Sequence, residues 1–279
     1  QHPPYVFGQP VVAQAAPVEQ LIVTGTRQTG LKAIDSAAPI QVLDAGALER
    51  TGAPDLVQSI AQNVPSFQSQ AIGGDMANMT LSVRLRGLSP NHALVLVNGK
   101  RRHGTGSLAV LGGPFQGGAA ADLNFIPMSA IERVEVLQDG AAAQYGTDAI
   151  AGVVNIILKK RDKGGAFTAT AGEYMDGGGR TGGLTFNMGF QPMDGAYANL
   201  TAEDRYHGHS QRGDIDPRLT SAQANIPGYP YLNKIQGDAA YHLSTVALNT
   251  GLDLGGDLSV YGNATYGKKR AEEIGRAHV

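Results

Sequence analysis

The sequence predicts an α+β domain followed by the first strands of an antiparallel transmembrane β-barrel, left incomplete. Three observations carry this. Ala130–Lys160 reads as strand, Asp139-Gly140 turn, small-residue helix, glycine and strand. Beyond Lys163-Gly164-Gly165, segments of roughly 9–11 residues alternate apolar and polar, the length a tilted membrane strand needs. Composition agrees: 38 glycines in 279 residues, no tryptophan and 16% charged residues describe a turn-rich β protein more than a helical enzyme.

Residues 1–30 carry Pro3, Pro4, Pro10 and Pro17 with little periodicity, and read as a flexible tail. Val12–Ala16 has the small-x-small look of a signal-peptidase site, yet residues 1–11 lack an apolar centre. A shortened signal peptide and a disordered extension both fit. One β-prone island, Val18–Gly25, interrupts the tail. Ile40–Leu43 suggests a strand, after which Asp44 can cap a short helix through Arg50. Pro54–Ile60 is helical in spacing, with Leu56, Val57 and Ile60 on one side, and Val64-Pro65 ends it. Ser66–Asn78 reads as an exposed loop. Leu81–Gly87 alternates as a strand, and Ala93–Lys100 is a buried strand closing on the hairpin dipeptide Asn98-Gly99. Arg101–Gly118 is a second glycine-rich loop.

In Ala130–Lys160, Ile131, Val134, Val136 and Leu137 form the first strand. Ala141–Ala149 makes a short helix capped or broken at Gly146, and Val153–Leu158 is a buried run that ends at Lys159-Lys160-Arg161. In the second half, Leu184, Phe186, Met188 and Phe190 alternate with polar or small residues, as do Ala198, Leu200 and Ala202. Val246, Leu248 and Leu252 continue the pattern, followed by Leu258, Val260 and Ala264. Tight connections at Pro192–Gly195 and Gly255–Asp257 contrast with the long polar stretch Asp204–Gly237. A soluble sandwich with one wet face gives the same alternation. The loop asymmetry and the preceding domain favour a barrel.

The stretch Ala130–Lys160 closely resembles the end of the plug domain of TonB-dependent outer-membrane receptors. The resemblance implies a plug over residues 31–163 and the first about five barrel strands over 164–273. It implies energy-coupled uptake of a scarce nutrient, such as a ferric siderophore or another large ligand, from the outer membrane of a Gram-negative bacterium into the periplasm. It also implies partners: a TonB-type periplasmic energy-coupling protein, outer-membrane lipid, and a small-molecule or metal-chelate ligand, with no cofactor. Glu19, Gln20, Leu21, Ile22, Val23 and Thr24 resemble the TonB box, an extended segment that adds as a strand to a partner's sheet edge. Arg86 and Arg133 match arginines that seat the plug against barrel glutamates. Gln70, Arg101, Arg102 and His103 lie in stretches that match ligand-contacting plug loops, and solvated loop charges explain them equally well. Ile274–Val279 resembles a translated sequencing adapter, so a truncated chain is expected.

Several other functions find no support. The net charge of −2 leaves no nucleic-acid footprint, and the absence of cysteine excludes disulfides and thiolate metal sites. Gly177–Gly182 lacks the lysine of a phosphate loop. His207 and His209 with Asp214 and Asp216 suit a polar loop better than a cation site. Asp122, Glu132, Glu135 and Asp139 form no acid–base couple, so no enzyme and no catalytic residue is expected. The alternative function is a surface adhesin or glycan-binding module without energy coupling.

Overall fold

The computed structural model describes residues 39–53, 55–70, 80–106, 117–175, 177–211, 213–215, 224–225, 229–230, 239–256 and 258–272. The tail, Glu19–Thr24 and the adapter-like end lie outside these residues.

The first domain is a five-stranded mixed sheet in the order β1-β6-β7-β4-β5. Here β1 is Ile40–Asp44, β4 Ala93–Val97, β5 Lys100–Arg101, β6 Ile131–Leu137 and β7 Gly152–Leu158. β4 and β7 pair in parallel, Val95 opposite Val154, and the other neighbours are antiparallel. Both faces of β4 and β7 are buried, which is why their sequences are continuously apolar. One face packs Leu43, Val134, Val136, Val95 and Ile156 against α1 (Ala45–Glu49) and α2 (Leu56–Asn63). The other packs Leu94, Leu96 and Val153 against Ala141 and Ala149.

The helices follow from their caps. The Asp44 carboxylate accepts from the Ala47 amide at 2.6 Å, and Asp55 accepts from the Gln58 amide at 2.8 Å. Ser59 Oγ, fully buried, donates to the Leu48 carbonyl at 2.8 Å and ties the two helices together. The helix expected over Ala141–Ala149 is broken at Gly146, whose φ of 99° no helix allows. α3 is only Ala142–Tyr145, and a 3₁₀ turn follows over Thr147–Ala149. The loop expected over Ser66–Asn78 begins instead as a strand, β2 (Phe67–Gln70), paired with β3 (Ser82–Leu85). Gln68-Ser69-Gln70 looks loop-like in composition. Phe67, 2% exposed, anchors the segment in the core and the partner strand satisfies its backbone.

The second sheet is an antiparallel meander in the order β12-β11-β10-β9-β8. It comprises β8 Gly165–Gly172, β9 Thr181–Phe190, β10 Ala196–His207, β11 Tyr241–Asp253 and β12 Ser259–Ala271. β10 runs three residues past the point where the long polar stretch was expected to begin. The sheet is open, with β8 and β12 as its edges.

Candidate functional site

The register of the second sheet sorts its side chains into two faces. Met188, Leu200, Leu248 and Ala264 share one row, and Phe186, Ala202, Val246 and Tyr266 share the next. Phe167, Leu184, Phe186, Met188, Phe190, Val246, Val260 and Tyr266 are all exposed on this outer face. From Leu184 to Phe190 the band runs about 20 Å along β9 at roughly 3.4 Å per residue, or about 15 Å of height at the ~40° tilt of membrane-barrel strands. At the Leu184 end the rows turn polar, through Asp204 opposite both Leu184 and Ser244, and next to it His242 opposite Arg270.

The inner face carries Asn187, Asn199, Thr201, Thr245, Ala247 and Asn249, each under 5% exposed. Tyr206 and Tyr266 project outward as interfacial tyrosines would. Tyr174 and Tyr241 instead pack on buried His207, with ring centroids 6.4 Å and 5.4 Å away. The strand register places Tyr241 on the inner side, opposite His207.

The first domain sits on this inner face: the turn Met128–Ala130 packs on β9 and β10, and further side chains meet β11 and β12. Ala247 belongs to its apolar core. Asn249 donates to the Lys159 carbonyl at 2.9 Å, and Asn98 donates to Asn249 Oδ1 at 3.0 Å. Asn98 takes φ 50° and Gly99 φ 76°, the left-handed turn that Asn-Gly favours, and Asn98 Oδ1 accepts from the Leu158 amide. Arg102 donates to Thr265 Oγ1 at 3.3 Å, and Lys269 donates to Asn124 Oδ1 at 3.1 Å. Between them the Phe125 ring lies on the bare backbone of Gly267, where an added methyl would overlap it. Burial pushes the Arg102 guanidinium below its ordinary range, with Asp122 acting the other way. Lys159, just past the end of β7, is 5% exposed, and burial lowers its amine likewise.

The residues singled out in the sequence are not gathered into one cluster. Arg133 pairs with Glu135 of its own strand at 2.9 Å, and that carboxylate is fully buried. Arg86 is exposed at φ 53° and donates to the Ile150 carbonyl. Arg101 forms an ion pair with Asp148, whereas the neighbouring Arg102 turns to the wall. His103 is exposed. Gln70 ends β2, paired with Ser82. Of the residues that meet the second sheet, Asn98 and Lys159 were noted only as a turn and a strand end, and Asn124, Phe125, Asn249, Gly267 and Lys269 were not singled out. Asparagines at alternate strand positions between apolar neighbours were the available signal.

Residues 32–153 match the family model for the TonB-dependent receptor plug domain. Over that stretch, which is under half of the chain, it is similar to the plug domain of TonB-dependent receptors. The vitamin B12 transporter BtuB of Vibrio cholerae serotype O1 is 31% identical over 159 residues, covering 57% of this chain and 24% of that protein. Among solved structures, the ferric enterobactin receptor PfeA of Pseudomonas aeruginosa is similar at a TM-score of 0.66 and 19% identity, over 83% of this chain and 33% of the receptor. The siderophore receptor PirA of Pseudomonas aeruginosa gives 0.53 at 18% identity, over 82% and 35%. The chain therefore spans about a quarter of the curated relative and a third of the solved receptors. The fold agrees with theirs: a plug on a mixed sheet, followed by antiparallel strands matching part of a barrel.

Proposed function

We propose that this chain provides the plug and adjoining wall of an outer-membrane receptor that takes up a scarce ligand under energy coupling. The observation carrying this reading is the two-faced wall: an outer apolar band beside an inner polar face on which the plug is seated. We read residues 1–30 as the periplasmic tail, 31–163 as the plug and 164–273 as the first barrel strands. The site lies in a Gram-negative outer membrane, with lipid on the apolar band. The relatives are named for ferric enterobactin and vitamin B12, so a metal chelate or a similarly large ligand is the candidate cargo. Gln70, Arg101, Arg102 and His103 are kept as candidate ligand contacts, and Arg86 and Arg133 as seating residues.

Ligand binding shifts the receptor toward a state with a free tail only if the ligand distinguishes the two states. The TonB-type partner then grips Glu19–Thr24 by strand addition. Deleting residues 19–24 should abolish accumulation of radiolabelled ferric enterobactin and cyanocobalamin, whichever the receptor takes, and spare binding to cells. Retained uptake overturns the reading and favours a surface module without energy coupling.

A further inference from the structure

The outer face of the second sheet changes character toward the end that carries the long connections, residues 173–180 and 208–240. Membrane barrels keep short turns on the periplasmic side and long loops outside, so on the uptake reading this end faces the cell exterior. On β12 the outward positions read Val260, Gly262, Ala264 and Tyr266, then Lys268 and Arg270. Tyr266 is 78% exposed. Lys268 and Arg270 are exposed too, while Lys269 between them turns inward to Asn124. Two residues past Tyr266 is about 7 Å along the strand, or about 5 Å of height at the ~40° tilt. That is headgroup depth beside an apolar band.

The neighbouring acids leave these two cations open. Asp204 shares the row of Lys268 but lies two strands away, roughly 9–10 Å. Its carboxylate already accepts from Ser244 Oγ at 2.6 Å and meets His242 Nε2 at 2.9 Å. Glu173 pairs with Arg180 at the β8–β9 connection. Glu272 follows Arg270 on the side away from the apolar band. Neither the Lys268 nor the Arg270 side chain has a hydrogen bond or ion pair among the described residues. Chemically the pair suits a phosphate: a guanidinium takes two of its oxygens in parallel, and an ammonium adds a point charge. The aliphatic stems can lie along acyl chains while the charged heads rise to the interface.

We propose that Lys268 and Arg270, with Tyr266 below them, form a seat on the outer wall for a phosphate of the outer-leaflet glycolipid, lipopolysaccharide. Its acyl chains lie on the apolar band, and its phosphate sits between the two cations. The occupant is a lipid because the pair adjoins that band and is turned away from the plug. It is a glycolipid because the Asp204–His242–Ser244 group in the adjoining rows offers acceptors to sugar hydroxyls. The inference rests on the uptake reading for the membrane and for the direction in which this end faces.

The probe is lipid A carrying its phosphates, titrated onto the full receptor in detergent micelles and counted per receptor by native mass spectrometry. Lys268→Ala with Arg270→Ala should weaken its binding about tenfold, the loss of exposed charge-assisted contacts. Lipid A stripped of phosphate should bind the wild type as weakly as the intact lipid binds the variant. Lys268→Arg should keep wild-type affinity. Arg180→Ala removes another exposed cation near the same end and should leave binding unchanged. Phosphatidylglycerol should compete poorly. Undiminished binding to the double variant, an equal loss from Arg180→Ala, or a preference for phosphatidylglycerol overturns the seat. Folded receptor is counted by its heat-modifiable mobility, and Lys268→Gln with Arg270→Gln replaces the alanine pair if that pair does not fold. The titration needs no energy coupling, so retained uptake in the residue 19–24 deletion would leave it unmoved. A chain that is no membrane barrel would bind neither form of the lipid, which separates the two failures.

Discussion

Asp55 caps α2 while only 6% exposed. Burial holds its carboxyl above the usual carboxylate range, outweighing the Gln58 amide and the charges of Arg205 and Lys269. The folded chain thus binds more protons than the unfolded one between the ordinary and the raised value. Stability from this group is highest at low pH, falls as pH rises through that window, and stays lower above it. Asp55→Asn keeps the cap and removes the fall, so its urea midpoint at pH 7 should equal or exceed the wild type's, with a flatter profile above pH 4. Asp55→Ala should lie about 1 kcal/mol below the Asn variant. A second residue prediction concerns Glu135. Arg133→Ala leaves that fully buried carboxylate with Asn155 as a weaker donor at 3.4 Å, and should cost about 3 kcal/mol in plug stability by denaturant titration. Asp44 was legible as a cap because the cap is a local pattern. The partners of Arg133 were not legible, because a β-strand places residues i and i+2 on one side without saying which neighbour reaches them.

At the scale of the element, the outer band and the inner row of one strand make opposite demands. Leu248→Arg, at mid-height on the outer face, should cost about 2–4 kcal/mol of folding in lipid vesicles, read from the folded fraction against urea. Leu254→Arg, past the strand end, should cost far less. The period-two pattern made these strands readable in advance, since alternation survives whatever closes the sheet. β2 was unreadable for the converse reason: its polar composition says loop, and only pairing with β3 and the burial of Phe67 make it a strand. The double turn around Gly146 was half readable. Its glycine marked the break, but the 3₁₀ turn after it depends on packing of Ala149 against Leu94 and Val153.

At the scale of the molecule, plug and wall are joined by surfaces that sequence separates widely. Phe125 and Gly267 meet across more than 140 positions, and no local pattern could announce that contact. Gly267→Leu should drive the side chain into the Phe125 ring and cost about 1–3 kcal/mol. The expected result is a plug more open to protease in membranes with the wall intact, and Phe125→Ala in the same chain should restore part of the loss. An unchanged digestion pattern would show that Phe125 is not seated there. The family of the plug was legible because its strand–turn–helix–strand unit is contiguous, whereas the seating contacts are distributed.

The passage from plug to wall is short. β7 ends at Leu158 and β8 begins at Gly165, so six residues span the two. Fully extended they reach about 20 Å. A plug pulled off β11 and β12 therefore remains on a leash, at an effective concentration of the order of millimolar relative to its dock. Reseating is then a unimolecular event whose rate is indifferent to how many receptors the membrane holds. On the proposed energy-coupled reading, a cycle of displacement would reset itself when the pull ends.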